Sequence, residues 1–313
     1  MEKEIAAGES ILERSCFDSR EGNIKIGGCV NVALFRMRRK QMTAVKLTKE
    51  NMESSFLEYL EDIFSKREVI SADVKGIAIT RETLEDAGRQ AFEAGFHDAY
   101  SDTDISLKVM LPRDGSVTPA VYLNRIDRFG VSKDTALGWM FVPADNVCRV
   151  VFRNGMRYDL CFVFEYGESD LVMPDLVRIE KENPDWPVDN INRFWFIEVQ
   201  ALGKLYRKDH LISAHLANMN CNDTLVMQMI LRDKEFGTSH HRYGHSESLE
   251  YTGDLGKMPY TTEDPAFDMI ADHLYAAALS YDRLVKNFYP GYQDRSDDLF
   301  AVWDQYENMR EQV

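Results

Sequence analysis

At 313 residues the chain has room for one large domain or two ordinary ones. Its 44% hydrophobic and 28% charged content is that of a globular protein. The formal net charge of -15 excludes a general nucleic-acid binder, which needs a basic footprint for phosphates, and suits attraction of Mg²⁺ or a polycation.

Residues 1–45 read as an N-terminal extension, with a short strand at 24–30. The basic cluster Arg36-Met37-Arg38-Arg39-Lys40 is either a solvated stretch or a polyanion contact. Thr48 then caps a helix whose Met52, Phe56, Leu57, Leu60 and Phe64 recur at helical spacing and face a core. A strand is expected at 74–80, and a helix at 82–92 broken by Gly95. In 100–111, Ile105, Leu107, Val109 and Leu111 alternate with polar or small residues, the period of a half-buried strand. Pro112-Arg113-Asp114-Gly115 is a turn, and 116–148 alternates weak strand and turn signals, with Asn124 to Phe129 read as a charged surface loop. Asn154-Gly155 between two apolar runs predicts a β-hairpin. Residues 165–187, with Pro174, Pro184 and Pro187, read as a connection between domains. From Val188 the pattern is helical: a run at 194–211 capped by Asn190 or Asn192, one starting at Asn222 or Asp223, one at 267–288 and one at 297–312. Four helices make a bundle. The whole predicts an α+β protein in three parts: extension 1–45, a domain at 46–187 with a mixed or antiparallel sheet flanked by helices, and a helical bundle at 188–313.

The five cysteines, Cys16, Cys29, Cys148, Cys161 and Cys221, are odd in number and form no Cys-x-x-Cys, so they read as free thiols. No stretch approaches the roughly 20 apolar residues of a membrane helix. The charged start Met1-Glu2-Lys3-Glu4 leads into no signal core, and the expected compartment is the cytoplasm.

The chemistry concentrates on two strands. Residues two apart on a strand share a face, so Asp102 and Asp104 stand roughly 6–7 Å apart on one side. Their repulsion is relieved by a hard divalent cation such as Mg²⁺, although a lone Asp-x-Asp also fits a solvated strand start. The central Gly and distant Glu of a calcium loop are missing. Asp159 lies among apolar residues in the second hairpin strand and needs a partner. If the two strands are neighbours, the three carboxylates can share a metal, the layout of nucleotidyltransferases of the DNA polymerase β type.

Ser101-Asp102-Thr103-Asp104-Ile105 and Arg157-Tyr158-Asp159-Leu160 resemble the acidic motifs of the aminoglycoside 6-adenylyltransferases, the streptomycin adenylyltransferase-like proteins. Phe194-Trp195-Phe196 and Lys204-Leu205-Tyr206-Arg207-Lys208-Asp209 resemble the segment opening that family's helical domain, and the agreement in order runs from about residue 50 to the C-terminus. The resemblance implies transfer of AMP from ATP to a hydroxyl of a cationic small molecule, streptomycin above all, and so antibiotic resistance. It implies two Mg²⁺ ions on Asp102, Asp104 and Asp159. It implies nucleotide contacts from Ser101, Lys204, Arg207 and Arg242, the last within the polar loop Thr238 to His245 that groups three histidines. Asp209 and Glu198 are candidates to take the acceptor proton. The family's Gly-Ser pair upstream of the acidic strand has no counterpart: Thr80-Arg81 or Gly88-Arg89 stands there. Two rival readings follow. One is a degenerate transferase that binds nucleotide or a partner without catalysis. The other is a non-enzymatic interaction protein with a solvated acidic strand.

Overall fold

A computed structural model describes residues 47–132, 134–142, 145–173, 182–238 and 262–310. All of them fall in one compact unit, Gln41–Val313. The extension, with its expected strand, basic cluster, Cys16 and Cys29, lies outside the described residues, as do Pro174, Arg242, His240, His241 and His245.

Thr48 caps α1 (Lys49–Ser65) as expected, its hydroxyl accepting from Asn51 N at 3.3 Å. The buried stripe of α1 is Met52, Phe56, Tyr59, Leu60, Ile63 and Phe64. The single strand expected at 74–80 is instead the end of a hairpin. β1 (Val69–Val74) reverses at Lys75-Gly76 into β2 (Ile77–Ile79), with φ of 53° and 83° at the two turn residues. Two residues in the left-handed region match the twist of paired strands, and Lys in place of the usual Asn or Asp hides the signal. Asp73 supports the turn by accepting from Gly76 N at 3.0 Å. α2 (Leu84–Gly95) ends at the expected glycine. β3 (Thr103–Pro112) buries Ile105, Leu107, Val109 and Leu111, as its alternation requires.

Within 116–148 the structure resolves the weak signals into three elements. They are a short helix α3 (Pro119–Leu123), a single 3-10 turn Ile126–Phe129, and β4 (Ala136–Val142). The predicted hairpin is present as β5 (Val147–Phe152) and β6 (Arg157–Gly167). Gly155 adopts φ 86°, its N–H donates to Phe152 O at 2.9 Å, and Asn154 Oδ1 accepts from Met156 N at 3.1 Å. The six strands form one mixed sheet in the order β2-β1-β3-β6-β5-β4, parallel only between β3 and β6. One face is apolar and packs on α1, where Tyr158 meets Tyr59 at 4.6 Å and Phe56 at 6.1 Å between ring centroids.

Four helices follow: α4 (Val188–Tyr206), α5 (His210–Phe236), α6 (Pro265–Val285) and α7 (Ser296–Arg310). Three expected boundaries are corrected. The run expected at 194–211 ends at Tyr206, and Leu211 belongs to α5. α4 begins directly after Pro187, so Asn190 and Asn192 are inside it. α5 runs unbroken through Asn222 and Asp223, because Asp223 accepts from Arg193 NH2 of α4 at 2.9 Å and needs no helix end to satisfy it. No helix among the described residues is long and apolar enough to cross a membrane. Cys148, Cys161 and Cys221 are free thiols.

α4 lies against the second face of the sheet at its β4 edge, and the contact is backbone to backbone. A Cβ on Gly138 would stand 2.6 Å from Asn192 O and closer still to Phe196 N. Arg295 locks the seam, donating from NH1 to Leu137 O at 2.9 Å and to Asn192 Oδ1 at 3.0 Å. Arg153 of the hairpin turn pairs with Asp298 of α7. Gly138→Ala is expected to cost about 3 kcal/mol of stability by forcing α4 off the sheet. A denaturant unfolding curve checks it.

Candidate active site

Strand pairing sorts the second face into rows. Gly138, Val151 and Arg157 form one row across β4, β5 and β6. Met140, Arg149, Asp159 and Asp104 form the next, extended onto β3. Val142, Val147, Cys161, Ser106 and Asp73 form a third. Cross-strand partners point to the same side, so each row is a line of neighbouring side chains. α4 covers the first row: its backbone meets Gly138, and a Cβ on its Gly203 would approach Arg157 NH1 at 3.1 Å. In the second row Asp104 is exposed and Arg149 half-buried. The neighbouring strands expected from sequence are found, with Asp104 directly beside Asp159 in parallel register. Asp102 stands just before β3 and pairs with Arg157 NH2 at 3.5 Å.

Asp159 is nearly buried. Burial pushes its carboxyl up to about 6. Arg149 works against that shift, Asp102 and Asp104 add to it, and Arg157 opposes it. Arg149 Nε lies 3.2 Å from Asp159 Oδ2 as an ion pair but is not aligned for a hydrogen bond. Cys161, one row further, has its thiol pKa raised by burial and then by the charges of Asp104 and Asp159. Among the described residues, no set of three or more His, Cys, Asp or Glu side chains converges to hold an ion. Arg149 and Arg157 supply the compensating charge instead. By chemistry, the oxygen donors of Asp104 and Asp159, in register on adjacent strands, suit a hard cation such as Mg²⁺.

The segment entering β3 is held by the helical region. Arg207, at the C-terminal end of α4, donates from NH2 to Asp98 Oδ1 at 2.9 Å and from Nε to Asp98 Oδ2 at 3.2 Å. It also donates to Ser101 Oγ, which donates to Asp98 Oδ1 at 3.1 Å. Burial alone would raise the Asp98 pKa; the Arg207 hydrogen bond and charge outweigh it and hold the group below its usual value. Tyr100 stacks on Tyr206 at 5.8 Å and meets Tyr306 edge-on at 4.8 Å. Ser101 and Arg207 are thus together beside Asp102, while Lys204 is half-buried on the last turn of α4.

The remaining candidates have other duties. Asp209 caps α5, accepting from Ile212 N at 3.3 Å. Glu198 is fully buried and faces α5: Asn220 Nδ2 donates to its Oε1 at 2.9 Å, and Oε2 has no hydrogen-bond partner. Gly88 lies inside α2, where a Cβ would meet Leu57 Cδ2 at 2.7 Å, and Arg89 pairs with Glu53. Arg81 donates to Phe64 O at 2.8 Å, Lys66 O at 2.7 Å and Val69 O at 3.0 Å. Both positions where a Gly-Ser pair would fall therefore serve packing around α1. A concavity of about 410 Å³ opens at the other end of β3, lined by Lys66, Glu68, Met110, Arg128 and Asp170. Arg128, from the charged stretch read as a surface loop, pairs there with the buried Glu68 at 2.6 Å.

Sequence reasoning assigned no role to Arg149, Arg157 or Asp98. A signal for Arg149 was available, because a hairpin centred on Asn154 sets residue 149 opposite residue 159. No family model, curated protein or solved structure matches the chain.

Asp102→Asn removes a repelling charge and is expected to lower the Asp159 pKa below about 6, while Arg149→Met is expected to raise it further. Carboxyl carbon NMR titration reads both. Burial pushes Glu198 up to about 8 from an ordinary 4.5. A raised carboxyl favours the fold fully only below the unfolded value, so its contribution is lost as pH climbs towards about 8. The slope over that window reaches about 1.4 kcal/mol per pH unit. Glu198→Gln is expected to flatten the dependence and to be the more stable protein at pH 8, as unfolding curves across pH would report.

Proposed function

We propose that Asp102, Asp104 and Asp159 hold Mg²⁺ and that the protein transfers AMP from ATP to a hydroxyl of a cationic small molecule, an aminoglycoside such as streptomycin. One observation carries this reading: Asp104 and Asp159 are in register on adjacent parallel strands, with Asp102 two residues before Asp104. The motifs that resemble the adenylyltransferases fall around this point, since Ser101 and Arg207 are in contact there. Bound in pairs, magnesium ions stabilise the attacking and leaving oxygens of an in-line displacement.

The chain's own groups do the positioning. Ser101, Lys204 and Arg207 contact the nucleotide, with Arg242 as a further phosphate ligand. Arg207 changes partner from Asp98 to phosphate oxygens. Asp209 uses Oδ1 to cap α5 and is the candidate acceptor of the hydroxyl proton. The net charge of -15 draws a polycationic acceptor towards the protein.

A second reading is nucleotide binding without turnover. It is favoured by Gly88 and Arg89, which lie in a packed helix rather than in a phosphate-cradling loop.

The test is incubation of the protein with ATP labelled at the α-phosphate, Mg²⁺ and streptomycin. Labelled drug and free pyrophosphate are expected, with at least about a thousandfold loss in Asp104→Asn. Measurable binding of ATP·Mg²⁺ without label on the drug would favour the second reading or another acceptor. Absence of both binding and label would overturn the transferase.

A further inference from the structure

We propose that Arg149 is the internal counter-ion of the carboxylate row: it holds Asp159 when no cation is bound, gives way to a divalent cation, and then offers its guanidinium to the phosphates of a nucleotide. This role presupposes the metal-binding reading of the row.

Two arginines compensate the row, and the structure holds them differently. Arg157 is 4% exposed, lies under Gly203 of α4, and donates from NH1 to Tyr100 O at 3.2 Å. Packing and a hydrogen bond fix it in place. Arg149 is 38% exposed and sits across from Asp159 on β5. Its Nε lies 3.2 Å from the carboxylate yet has no hydrogen-bond partner, so charge alone holds the pair. On its other side in the row stands Met140, which offers no competing charge.

A cation bound by Asp159 and a guanidinium at that distance repel each other, and the carboxylate is too buried for water to screen them. Arg149 is the group free to leave. A displaced guanidinium then needs oxygen acceptors, and its planar fork matches two phosphate oxygens. Arg149 is therefore a positioning residue. It compensates Asp159 beside Asp104 when no cation is bound and becomes a phosphate contact only when the row is loaded.

The experiment measures Mn²⁺ binding by electron paramagnetic resonance without nucleotide, and ATP binding by calorimetry with Mn²⁺. It uses wild type, Arg149→Met and Arg149→Lys, each verified as folded by thermal melting. Opposite effects are expected: Arg149→Met binds Mn²⁺ about tenfold more tightly and ATP about tenfold more weakly, whereas Arg149→Lys stays near wild type in Mn²⁺ affinity. Tighter Mn²⁺ binding with unchanged ATP binding would overturn the phosphate contact and keep the counter-ion. Mn²⁺ binding in the wild type with no gain in Arg149→Met would overturn the role while leaving the metal site intact. No Mn²⁺ binding in any of the three would overturn both.

Discussion

The approach of α4 to the sheet at Gly138 is the constraint on which the rest depends. Only a residue without a Cβ lets the backbone of β4 come so near Asn192 O and Phe196 N. That closeness seats α4 over the first row of the second sheet face. The helical region shields Arg157, and Asp159 in the next row is nearly buried. Arg295 sits in the same seam, satisfying Leu137 O and Asn192 Oδ1 with one guanidinium.

Charge compensation is the second theme. Asp104 and Asp159 stand side by side across the sheet, the second of them buried, and such a pair is costly without counter-charge. Arg149 from β5 and Arg157 from β6 provide it within the sheet itself. Arg207 reaches across from α4 to Asp98 and Ser101 and so fixes the segment that carries Asp102. The same helix that buries the row's edge therefore also sets the position of the strand that brings the acidic residues.

Local pattern was enough for much of the fold. Alternation placed β3 and its buried face, since neighbouring side chains on a strand point to opposite sides whatever surrounds them. Asn154-Gly155 placed the β5–β6 hairpin, because left-handed backbone at Gly155 is a property of the residue itself. Thr48 and Gly95 marked helix ends for equally local reasons. Strand spacing did not place Asp102, which stands just before β3.

Packing alone settles what those preferences leave open. The parallel pairing of β3 with β6 brings Asp104 beside Asp159 from more than fifty residues away, and no short-range preference encodes it. The Lys75-Gly76 reversal is legible only once β1 and β2 are seen to pair. Asn222 and Asp223 read as a cap but lie inside α5, because Arg193 of another helix satisfies Asp223. Gly88 and Gly138 reveal their use only through what a Cβ would strike. The division has one physical cause: backbone dihedral preference and side-chain period act over a few residues, whereas burial, charge partners and close approach are properties of segments that meet only in the folded chain.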